Sequence, residues 1–548
     1  MQSRYLINTP DLFSIFKDNR RLAELANSLA AFLKNQRWFA AKTEGIRSVE
    51  ILDSVEIPGE VATFELLLAT IVTNGRSADC YAVPMTSALP NQIESTSTII
   101  AELGTGDESA SSPSTLVECS GNSEFWRAIT ATLADRPLTT RNGRELKLSR
   151  TANSKLGSGE VFRTSTFQIH GGEQSNSAVA IGNDFFLKLF RRPRVGQNPD
   201  AEVGIFLTDR TDFRNSPRVD ATIDVVGPDG NRCLALISEQ VSAEADAWTY
   251  TLDNLKTYWE RLARLDDRPA SPPELDLLKS EMVEGSLSEV EHLVAPLVGT
   301  FRDDVAHLGR RTAEMHAALS SCLDDPAFAP EPLTQESLNE LVAQIRAEVQ
   351  STCELLEHAG PATDSVANLP QKISLRANAL LDEISSLDPA LANVVSIRCH
   401  GDYHLGQVLR TDSDFIILDF EGEPGRPFNE RRQKRCAMKD VAGMIRSLHY
   451  ASCGAEVGML PCPAPSILNP NQWQKFWYEN VKAAFLAGYE LKAEGQPFFP
   501  ADRATFQQLL DLFLIEKVLY ELRYEINNRP DWVKIPLAGL NSVLGLSE

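Results

Sequence analysis

Apolar residues near the start of the chain recur at three- and four-residue steps, the spacing of one face of an amphipathic helix. The stripe consists of Leu22, Leu25, Ala26, Leu29, Phe32 and Leu33. Two β-rich runs follow at 48–57 and 63–72, and Gly59 lies between them as a turn signal. The first hundred residues are therefore predicted to form a small α+β unit.

The composition changes between residues 104 and 122, where Gly, Ser, Asp and Glu dominate as they do in linkers. Strand-like runs then return between about 145 and 242. They lie at 161–169, 177–182, 185–190 and 233–241. Short turn-rich segments separate these runs, so this part of the chain is predicted to be dominated by strands.

Beyond residue 250 the spacing of apolar residues becomes helical, apart from one strand-rich patch at 394–424. The helical stripes lie in 301–319, 338–349 and 375–387. These patterns predict an α+β fold in three parts. The parts are an N-terminal cap subdomain over 1–100, an intermediate segment with a β-rich lobe over 101–242, and a mainly helical lobe over 243–548.

Composition limits the class of protein. The 548 residues are 43% hydrophobic and 23% charged, close to globular averages, so the chain can bury a sizeable core. The formal net charge is −22, from 53 basic and 75 acidic residues. Sequence-independent binding to nucleic acid needs clustered cations, and this balance therefore argues against it.

The cysteines and the N-terminus indicate the compartment. The nine cysteines are scattered singly, without a C-x-x-C pair, as free thiols in a reducing compartment are. The N-terminal segment lacks the apolar core of a secretory signal, and polar residues interrupt the most apolar run, 61–72. We therefore predict a cytoplasmic protein without a membrane span.

The candidate chemistry is concentrated in the patch at 394–424. Asp402 follows a predicted strand, Gln407 comes five residues later, and Asp419 ends a buried strand. This is the phosphoryl-transfer layout H-x-D-x-x-x-x-N followed by D-F-x, in which the first Asp orients the attacking hydroxyl and the other two groups hold magnesium. Gln407 replaces the usual Asn but offers the same carbonyl oxygen to a hard cation.

Each of these residues also has a structural interpretation. Asp402 could simply close a turn. His400 and His404 have a spacing that suits zinc, but no H-E-x-x-H motif or cysteine partner accompanies them, which argues against a metal hydrolase. We expect His400 to be a structural hydrogen-bonding group and His404 to face either the bound acceptor or the core. Glu421 and Glu423 either extend the metal site or pair with the arginines that follow them.

A kinase also needs an apolar strand with one Lys, a turn that covers phosphates and an acidic partner for the Lys. Lys188 lies in the apolar run 185–190, and Glu202 is its candidate ion-pair partner. Small polar side chains precede that strand at Gln174, Ser175, Asn176 and Ser177. Their amides and hydroxyls suit contact with phosphates.

The adenine site is predicted at the end of the strand run 233–241. There the backbone of Glu239 and Val241 is placed to hydrogen-bond the adenine edge, as at the hinge of a two-lobed kinase. A P-loop is excluded because the chain has no GxxxxGK[ST] motif. Lysines are also common on edge strands, which is the alternative interpretation of Lys188.

Together these motifs resemble the bacterial maltokinases, which share the aminoglycoside-phosphotransferase, eukaryotic-like kinase fold. The resemblance covers nearly the whole chain. It rests on residues 36–39 with Lys42, 173–177, 187–192, 198–200, 400–407, 419–424, 440–447 and 520–532. It implies a bilobal α+β fold with a β-rich N-terminal lobe, a mainly helical C-terminal lobe and an extra N-terminal cap.

The resemblance also implies an activity. Maltokinases use ATP and Mg²⁺ to phosphorylate maltose at its anomeric hydroxyl, and the maltose 1-phosphate serves α-glucan (glycogen) biosynthesis. Asp402 would then be the catalytic base, Gln407 and Asp419 the metal ligands and Lys188 the phosphate anchor. Sugar contacts would come from His404, Arg431, Tyr520, Glu521, Tyr524 and Trp532. Enzymes of trehalose and glucan metabolism would be the pathway partners.

The chain departs from the family pattern at a few positions. Ala41 replaces an expected Gly in the cap motif, His449 replaces an expected acidic residue, and the polar helical segment 330–390 has no functional interpretation. Glucosamine is the alternative substrate, because glucosamine kinases share this fold and nucleotide site. Its amine would need a carboxylate, for which Glu521, Glu525 or Asp531 could serve. A pseudokinase that only binds ligands is disfavoured, since no catalytic group is missing.

Overall fold

The computed structural model describes residues 5–9, 11–42, 44–75, 78–93, 95, 98–104, 114–171, 175–265, 269–272, 294, 296–358, 368–387 and 393–546. The chain forms two compact units. Unit 1 comprises Met1–Asp209 and Pro217–Val241, and unit 2 comprises Arg210–Ser216 and Ser242–Glu548.

The first sheet of unit 1 has six strands among the described residues, in the order β1-β5-β6-β4-β3-β2. Their bounds are β1 Leu6–Asn8, β2 Ile46–Pro58, β3 Thr63–Thr73, β4 Ala78–Ala88, β5 Ile99–Gly104 and β6 Ser114–Glu118. Helix α1, Asn19–Lys34, begins after Asp18, whose carboxylate accepts a hydrogen bond from the Arg20 amide. Its apolar stripe packs against this sheet, so the predicted helix and both predicted strands are confirmed.

The second sheet of unit 1 has seven strands in the described part of the chain, in the order β7-β8-β12-β13-β11-β10-β9. Their bounds are β7 Leu138–Thr139, β8 Glu145–Arg150, β9 Phe167–His170, β10 Ser177–Ile181, β11 Phe185–Leu189, β12 Val219–Gly227 and β13 Gly230–Glu239. The accompanying helices are α2 Ser123–Asp135, α3 Gly159–Thr164 and α4 Pro199–Arg210. One continuous core of buried side chains joins α2 and α3 to this sheet.

Two sequence predictions in unit 1 were wrong. The run 161–169 is not one strand, because α3 ends at Thr164 and β9 begins only at Phe167. The helix buries Phe162 in the core, and this tertiary contact outweighs the strand-like composition. The predicted linker over 104–122 also contains strand β6, which pairs with β4 and β5.

Unit 2 is mainly helical, as the stripes of apolar residues predict. Its helices are α5 Ala247–Arg264, α6 Phe301–Leu319, α7 Gln335–His358, α8 Leu369–Ser385, α9 Met438–Ser452, α10 Pro470–Ala493, α11 Arg503–Asn528 and α12 Lys534–Leu544. Two small sheets lie among them. They consist of β14 Ala245–Asp246, β17 Val408–Arg410 and β18 Phe415–Ile417 in one, and β15 Glu331–Pro332 with β16 Val395–Ser396 in the other.

Helix α11 is buried over most of its length. Apolar residues from Leu509 to Leu522 cover most of its circumference, as is typical of a central helix rather than a surface one. Among the helices that the structure describes, none has the length and apolarity that a membrane span requires.

Candidate active site

The loop that carries Asp402 is held by the first turn of α9. The buried carboxylate of Asp440 accepts hydrogen bonds from the backbone amides of His400 and Gly401, at 2.8 and 2.9 Å. Its Oδ2 also lies 3.1 Å from Nε2 of His316. Burial opposes the ionisation of Asp440, yet these hydrogen bonds and His316 hold the pKa of its carboxyl below the usual value.

Gly401 makes the turn into Asp402 possible. Its φ of +87° lies in the left-handed region that glycine adopts without strain. A Cβ at this position would lie 3.1 Å from the Cα of Gly422. The loop therefore packs closely against the segment that follows Asp419, which brings the two predicted acidic groups into one region.

Asp402 forms an ion pair that the sequence did not predict. Its Oδ1 lies 3.1 Å from Nζ of Lys517, a lysine of the buried helix α11. Burial opposes ionisation of the carboxyl, but the cation at Lys517 and the neighbouring His404 hold the pKa of Asp402 below its usual value. Asp402 is therefore an ionised hydrogen-bond acceptor at neutral pH.

Gln407 and Asp419 are neighbours, as the motif predicts. Gln407 ends the 3₁₀ turn Leu405–Gln407, and its backbone carbonyl oxygen accepts a hydrogen bond from the Leu418 amide at 2.9 Å. Asp419 has a φ of 61°, a conformation that costs energy for a residue other than glycine and that often marks a functional site. A carboxylate oxygen of Asp419 and one of Glu421 lie within 4.8 Å of each other.

This donor set fits magnesium. Mg²⁺ prefers oxygen ligands and is commonly held by one or two carboxylates together with substrate phosphates. Asp419 and Glu421 are two such carboxylates, and the backbone of Gln407, the predicted amide ligand, is hydrogen-bonded to Leu418 beside Asp419. Glu423, the other possible extension of the site, instead accepts a hydrogen bond from Arg426 at 2.9 Å.

The two histidines of the motif have structural contacts. Nε2 of His400 lies 2.7 Å from the carbonyl oxygen of Leu418, which ties the loop to the segment before Asp419. The His404 ring caps the next turn, because its Nδ1 accepts the Gly406 amide at 3.1 Å. Burial lowers the pKa of His404, so its imidazole is neutral at pH 7.

In unit 1, Lys188 lies in β11 and is buried. Its Nζ is 3.0 Å from Oδ2 of Asp200, in the first turn of α4. The buried carboxylate that pairs with Lys188 is thus Asp200, two residues before the predicted Glu202. Asp200 is 5% exposed, whereas Glu202 is only half-buried in the same turn. Glu202 as a partner of Lys188 stays a prediction, and the structure adds Asp200 as an ion-pair partner on the same helix.

Two of the predicted phosphate-contacting side chains bind Arg191 instead. Ser177 accepts a hydrogen bond from Nε of Arg191 at 2.8 Å, and Asn176 accepts one from the Arg191 amide at 3.3 Å. Ser175 is exposed, and Gln174 lies outside the described residues. The predicted phosphate turn is therefore partly occupied by the buried guanidinium of Arg191.

The predicted adenine-binding backbone follows β13. The Glu239 amide donates to the Arg218 carbonyl oxygen at 2.8 Å, and the amide of the next residue, Gln240, donates to Asp184 at 2.9 Å. Both amides are therefore used within unit 1. Val241 is the last residue of that unit and is half-buried.

A cavity of about 480 Å³ opens in unit 2 beside Lys517. Its walls come from α7, from the loop at 423–430, from α9 and from the second half of α11. The lining is charged and aromatic: Glu348, Glu423, Arg426, Glu430, Lys439, Glu516, Lys517, Tyr520, Arg523 and Tyr524 contribute to it. Sugars suit such a cavity, because they present hydroxyls to charged groups and ring faces to aromatic side chains.

The predicted sugar-contacting residues divide between this cavity and other places. Tyr520 and Tyr524 line the cavity, and their rings stack with centroids 6.4 Å apart. Glu521 faces α9 instead, where it binds Nε and Nη2 of Arg446 at 2.9 and 2.8 Å. Trp532 packs under the guanidinium of Arg529, at 4.4 Å from the ring centroid.

Arg431 holds the loop through two hydrogen bonds to backbone carbonyl oxygens, and its contact with a sugar stays a prediction. Its Nη2 donates to the Pro424 carbonyl at 2.5 Å and its Nε to the Arg426 carbonyl at 3.1 Å. At another predicted departure, Nδ1 of His449 lies 3.2 Å from Nη1 of Arg446. Burial and Arg446 lower the pKa of His449 well below its usual value. Arg446 thus contacts both His449, where the family pattern predicts an acidic residue, and the carboxylate of Glu521.

Sequence reasoning missed several residues of the site, above all Lys517 and Asp440. One signal was available for Lys517: it stands with Glu516 in an otherwise apolar helical run, the same feature that singled out Lys188 in its strand. In the sequence, Asp440 has no distinguishing feature beyond its place in the family motif 440–447. Its contact with the loop amides spans about 40 residues of sequence and has no local signal.

Comparisons with known proteins find similarity to a maltokinase cap domain and to glucosamine kinases. Residues 32–111 match the family model of the maltokinase N-terminal cap domain. A glucosamine kinase of Streptacidiphilus jiangxiensis is 25% identical over 380 residues, which cover 68% of this chain and 72% of that protein. A glucosamine kinase of Mycolicibacterium smegmatis is 27% identical over 247 residues, 44% of this chain and 54% of that one.

The solved structures show the same fold. A glucosamine kinase in complex with glucosamine, ADP and inorganic phosphate has a TM-score of 0.57 and 18% identity, with coverage of 90% of this chain and 94% of that chain. A second crystal form of a glucosamine kinase has a TM-score of 0.56. The expected bilobal α+β, kinase-like fold is confirmed. The cap domain and the kinase relatives together confirm the resemblance of this chain to the maltokinase family.

Proposed function

We propose that the protein is a sugar kinase that uses ATP and Mg²⁺. The observation that carries the proposal is the joint placement of three groups in unit 2. Asp402 is ionised in its loop, Asp419 lies beside Glu421, and the backbone carbonyl oxygen of Gln407 accepts the amide of Leu418, the residue before Asp419. These are the groups that phosphoryl transfer to a hydroxyl requires.

In this mechanism Asp402 orients the acceptor hydroxyl. As the bond between the sugar oxygen and the γ-phosphorus forms, the bond from that phosphorus to the bridging oxygen breaks and ADP leaves. The hydroxyl proton passes to Asp402 and then to water. Little covalent work falls to the protein, and positioning and electrostatics supply most of the rate.

The nucleotide would be bound through its phosphates and its metal ion, by Lys188, Gln407, Asp419 and Glu421. The ammonium of Lys188, kept in place by Asp200, suits an anchor for phosphate oxygens. Gln407, Asp419 and Glu421 would hold the metal. Mg²⁺ bound there supplies neutralisation of the charge on the phosphates.

Maltose is the proposed acceptor, with transfer to its anomeric hydroxyl to give maltose 1-phosphate for α-glucan synthesis. The match of residues 32–111 to the maltokinase cap supports it. The state of two carboxylates supports it as well. Glu521 is paired with Arg446, and Glu525 with Arg529 at 3.0 Å, so neither is available to an amine.

Glucosamine is the second candidate, and specific observations favour it. The relatives that match most of the chain are glucosamine kinases. The cavity beside Lys517 also holds carboxylates that the sequence did not single out for it, among them the half-buried Glu430. Arg426 lies 3.9 Å from a carboxylate oxygen of Glu430, at the outer limit of an ion pair, so an ammonium group could bind this carboxylate.

The test is ADP release from ATP and Mg²⁺ with maltose, glucosamine, glucose and an aminoglycoside as acceptors, followed by NMR of the product. We expect turnover with maltose and phosphate on the anomeric carbon. Turnover with glucosamine alone would make glucosamine, not maltose, the substrate. The Glu430→Gln variant should then have a higher KM for glucosamine. The absence of turnover with every sugar would contradict the proposal.

A further inference from the structure

Lys517 is a largely buried lysine, unlike most lysines, which lie at the surface. It lies in the middle of α11, between buried apolar residues, and its side chain is 19% exposed. Its Nζ lies 3.1 Å from Oδ1 of Asp402 and 3.6 Å from Oε1 of Glu423. The ammonium also lies 5.1 Å from the ring centroid of Tyr520, in the wall of the cavity.

The charges around this pair keep it ionised. Burial disfavours the cation, but the carboxylates of Asp402, Glu423 and Glu521 raise the pKa of Lys517. Asp402 in turn is faced by Lys517, His404 and His400. The lysine is therefore charged at neutral pH and does not serve as the base.

The need to neutralise Glu423 does not explain why a buried cation is present at Lys517. Glu423 accepts a hydrogen bond from Arg426 at 2.9 Å, and Lys439 lies 3.9 Å from it. Glu423 therefore keeps cationic partners when Lys517 is removed. Nζ of Lys517 also lies closer to Asp402, at 3.1 Å, than to Glu423, at 3.6 Å, so we assign the role of the lysine to Asp402.

We infer that Lys517 is a positioning residue for the transfer reaction: its ammonium fixes Oδ1 of Asp402, so that Oδ2 is presented to the acceptor hydroxyl. The inference rests on the proposed function, because it assigns a role toward the same base. The lysine touches the carboxylate that acts on the sugar and need not touch the reacting atoms. A clamp of this kind matters because small misplacements of a reacting group are costly in phosphoryl transfer.

The test compares Lys517→Met, Lys517→Arg and a control, Lys482→Met, in the full chain. Lys482 is also 19% exposed on a helix of unit 2, and it pairs with Glu479 outside the site. We expect Lys517→Met to lower kcat about 10²-fold with little change in the sugar KM. Lys517→Arg restores much of the loss, and Lys482→Met retains wild-type kcat.

The pH profile separates positioning from a purely structural role. Activity requires ionised Asp402, so kcat falls as the pH drops through its pKa. Removal of the neighbouring cation raises that pKa, and the acid limb of the profile should move up by about 1 unit or more in Lys517→Met. If Lys517→Met fails to fold, Lys517→Arg provides the test: its acid limb should stay at the wild-type position.

The outcomes are distinct. Wild-type kcat and an unmoved acid limb in folded Lys517→Met would overturn the inference and leave the proposed function intact. A loss of kcat that is accompanied by a loss of thermal stability, with no shift in the acid limb, would also overturn the inference, in favour of a structural role. Absence of turnover by the unmodified protein would overturn the proposed function and this inference with it.

Discussion

Asp440 shows how one buried carboxylate can set the geometry of the whole loop. It accepts two successive backbone amides, of His400 and Gly401, and faces His316. His316 in turn lies 3.0 Å from the hydroxyl of Tyr489. Because Asp440, His316, His400 and Tyr489 are buried, loss of Asp440 removes a partner from the His400 amide and from His316 where water cannot replace it.

We predict that Asp440→Ala lowers the free energy of unfolding at pH 7 by about 3 kcal/mol, because it leaves two buried amides unpaired. The measurement is urea unfolding of both proteins as a function of pH. The pKa of Asp440 is depressed in the folded protein, so its contribution is full above the unfolded value of 3.8 and declines as the pH falls further. The two stabilities should therefore converge in acid. Equal stabilities at pH 7 would contradict this role.

At the scale of elements, glycines fix how closely the helices of unit 2 approach. A Cβ on Gly488 of α10 would lie 1.9 Å from the carbonyl oxygen of Ala306 in α6. A Cβ on Gly309 of α6 would lie 2.1 Å from the carbonyl oxygen of Phe485. On α9, Gly443 has the same function toward the carbonyl oxygen of Tyr403, at 2.5 Å, directly beside Asp402.

Gly488→Ala should destabilise the protein by about 3 kcal/mol, because the added methyl group meets backbone atoms that cannot rotate away. Thermal or urea unfolding measures the change. The matched control is Gly121→Ala, where a Cβ meets no atom within 4 Å. If the two substitutions had similar effects, the close approach of α6 and α10 would not be the constraint that we describe.

The elements themselves were largely predictable, whereas their contacts were not. Periodicity located α1 and α6, and the strand–turn–strand pattern around Asp402 and Asp419 gave the site its predicted order. The pairs that orient the site join distant parts of the chain, since Lys517 and Asp402 are 115 residues apart. No periodicity carries that information, and none indicates that Asp200, two residues before Glu202, pairs with Lys188.

For the whole molecule, the exposure of the thiols gives an independent check on the fold. All nine cysteines are free, and Cys462 is exposed while six are buried. Cys80 is half-buried, and burial raises the pKa of its thiol to about 11. Thiolate, the reactive form, is therefore scarce at Cys80.

We predict that a thiol reagent at pH 7 modifies Cys462 first in the native protein, and that Cys462→Ser removes this fast phase. The buried thiols should react only on unfolding, because the reagent cannot reach them. Mass spectrometry of peptides after timed labelling measures the order. Rapid native-state modification of Cys399 or Cys436 would contradict the core packing of unit 2.

The most direct test of the central claim is the turnover of Asp402→Asn, with sugar and nucleotide binding measured by calorimetry on the same preparation. The substitution keeps the shape of the side chain but removes the charge that accepts the hydroxyl proton. Turnover should fall about 10³-fold while both ligands still bind. Turnover comparable with that of the unmodified protein would contradict the account, because Asp402 would then not be the group that acts on the sugar.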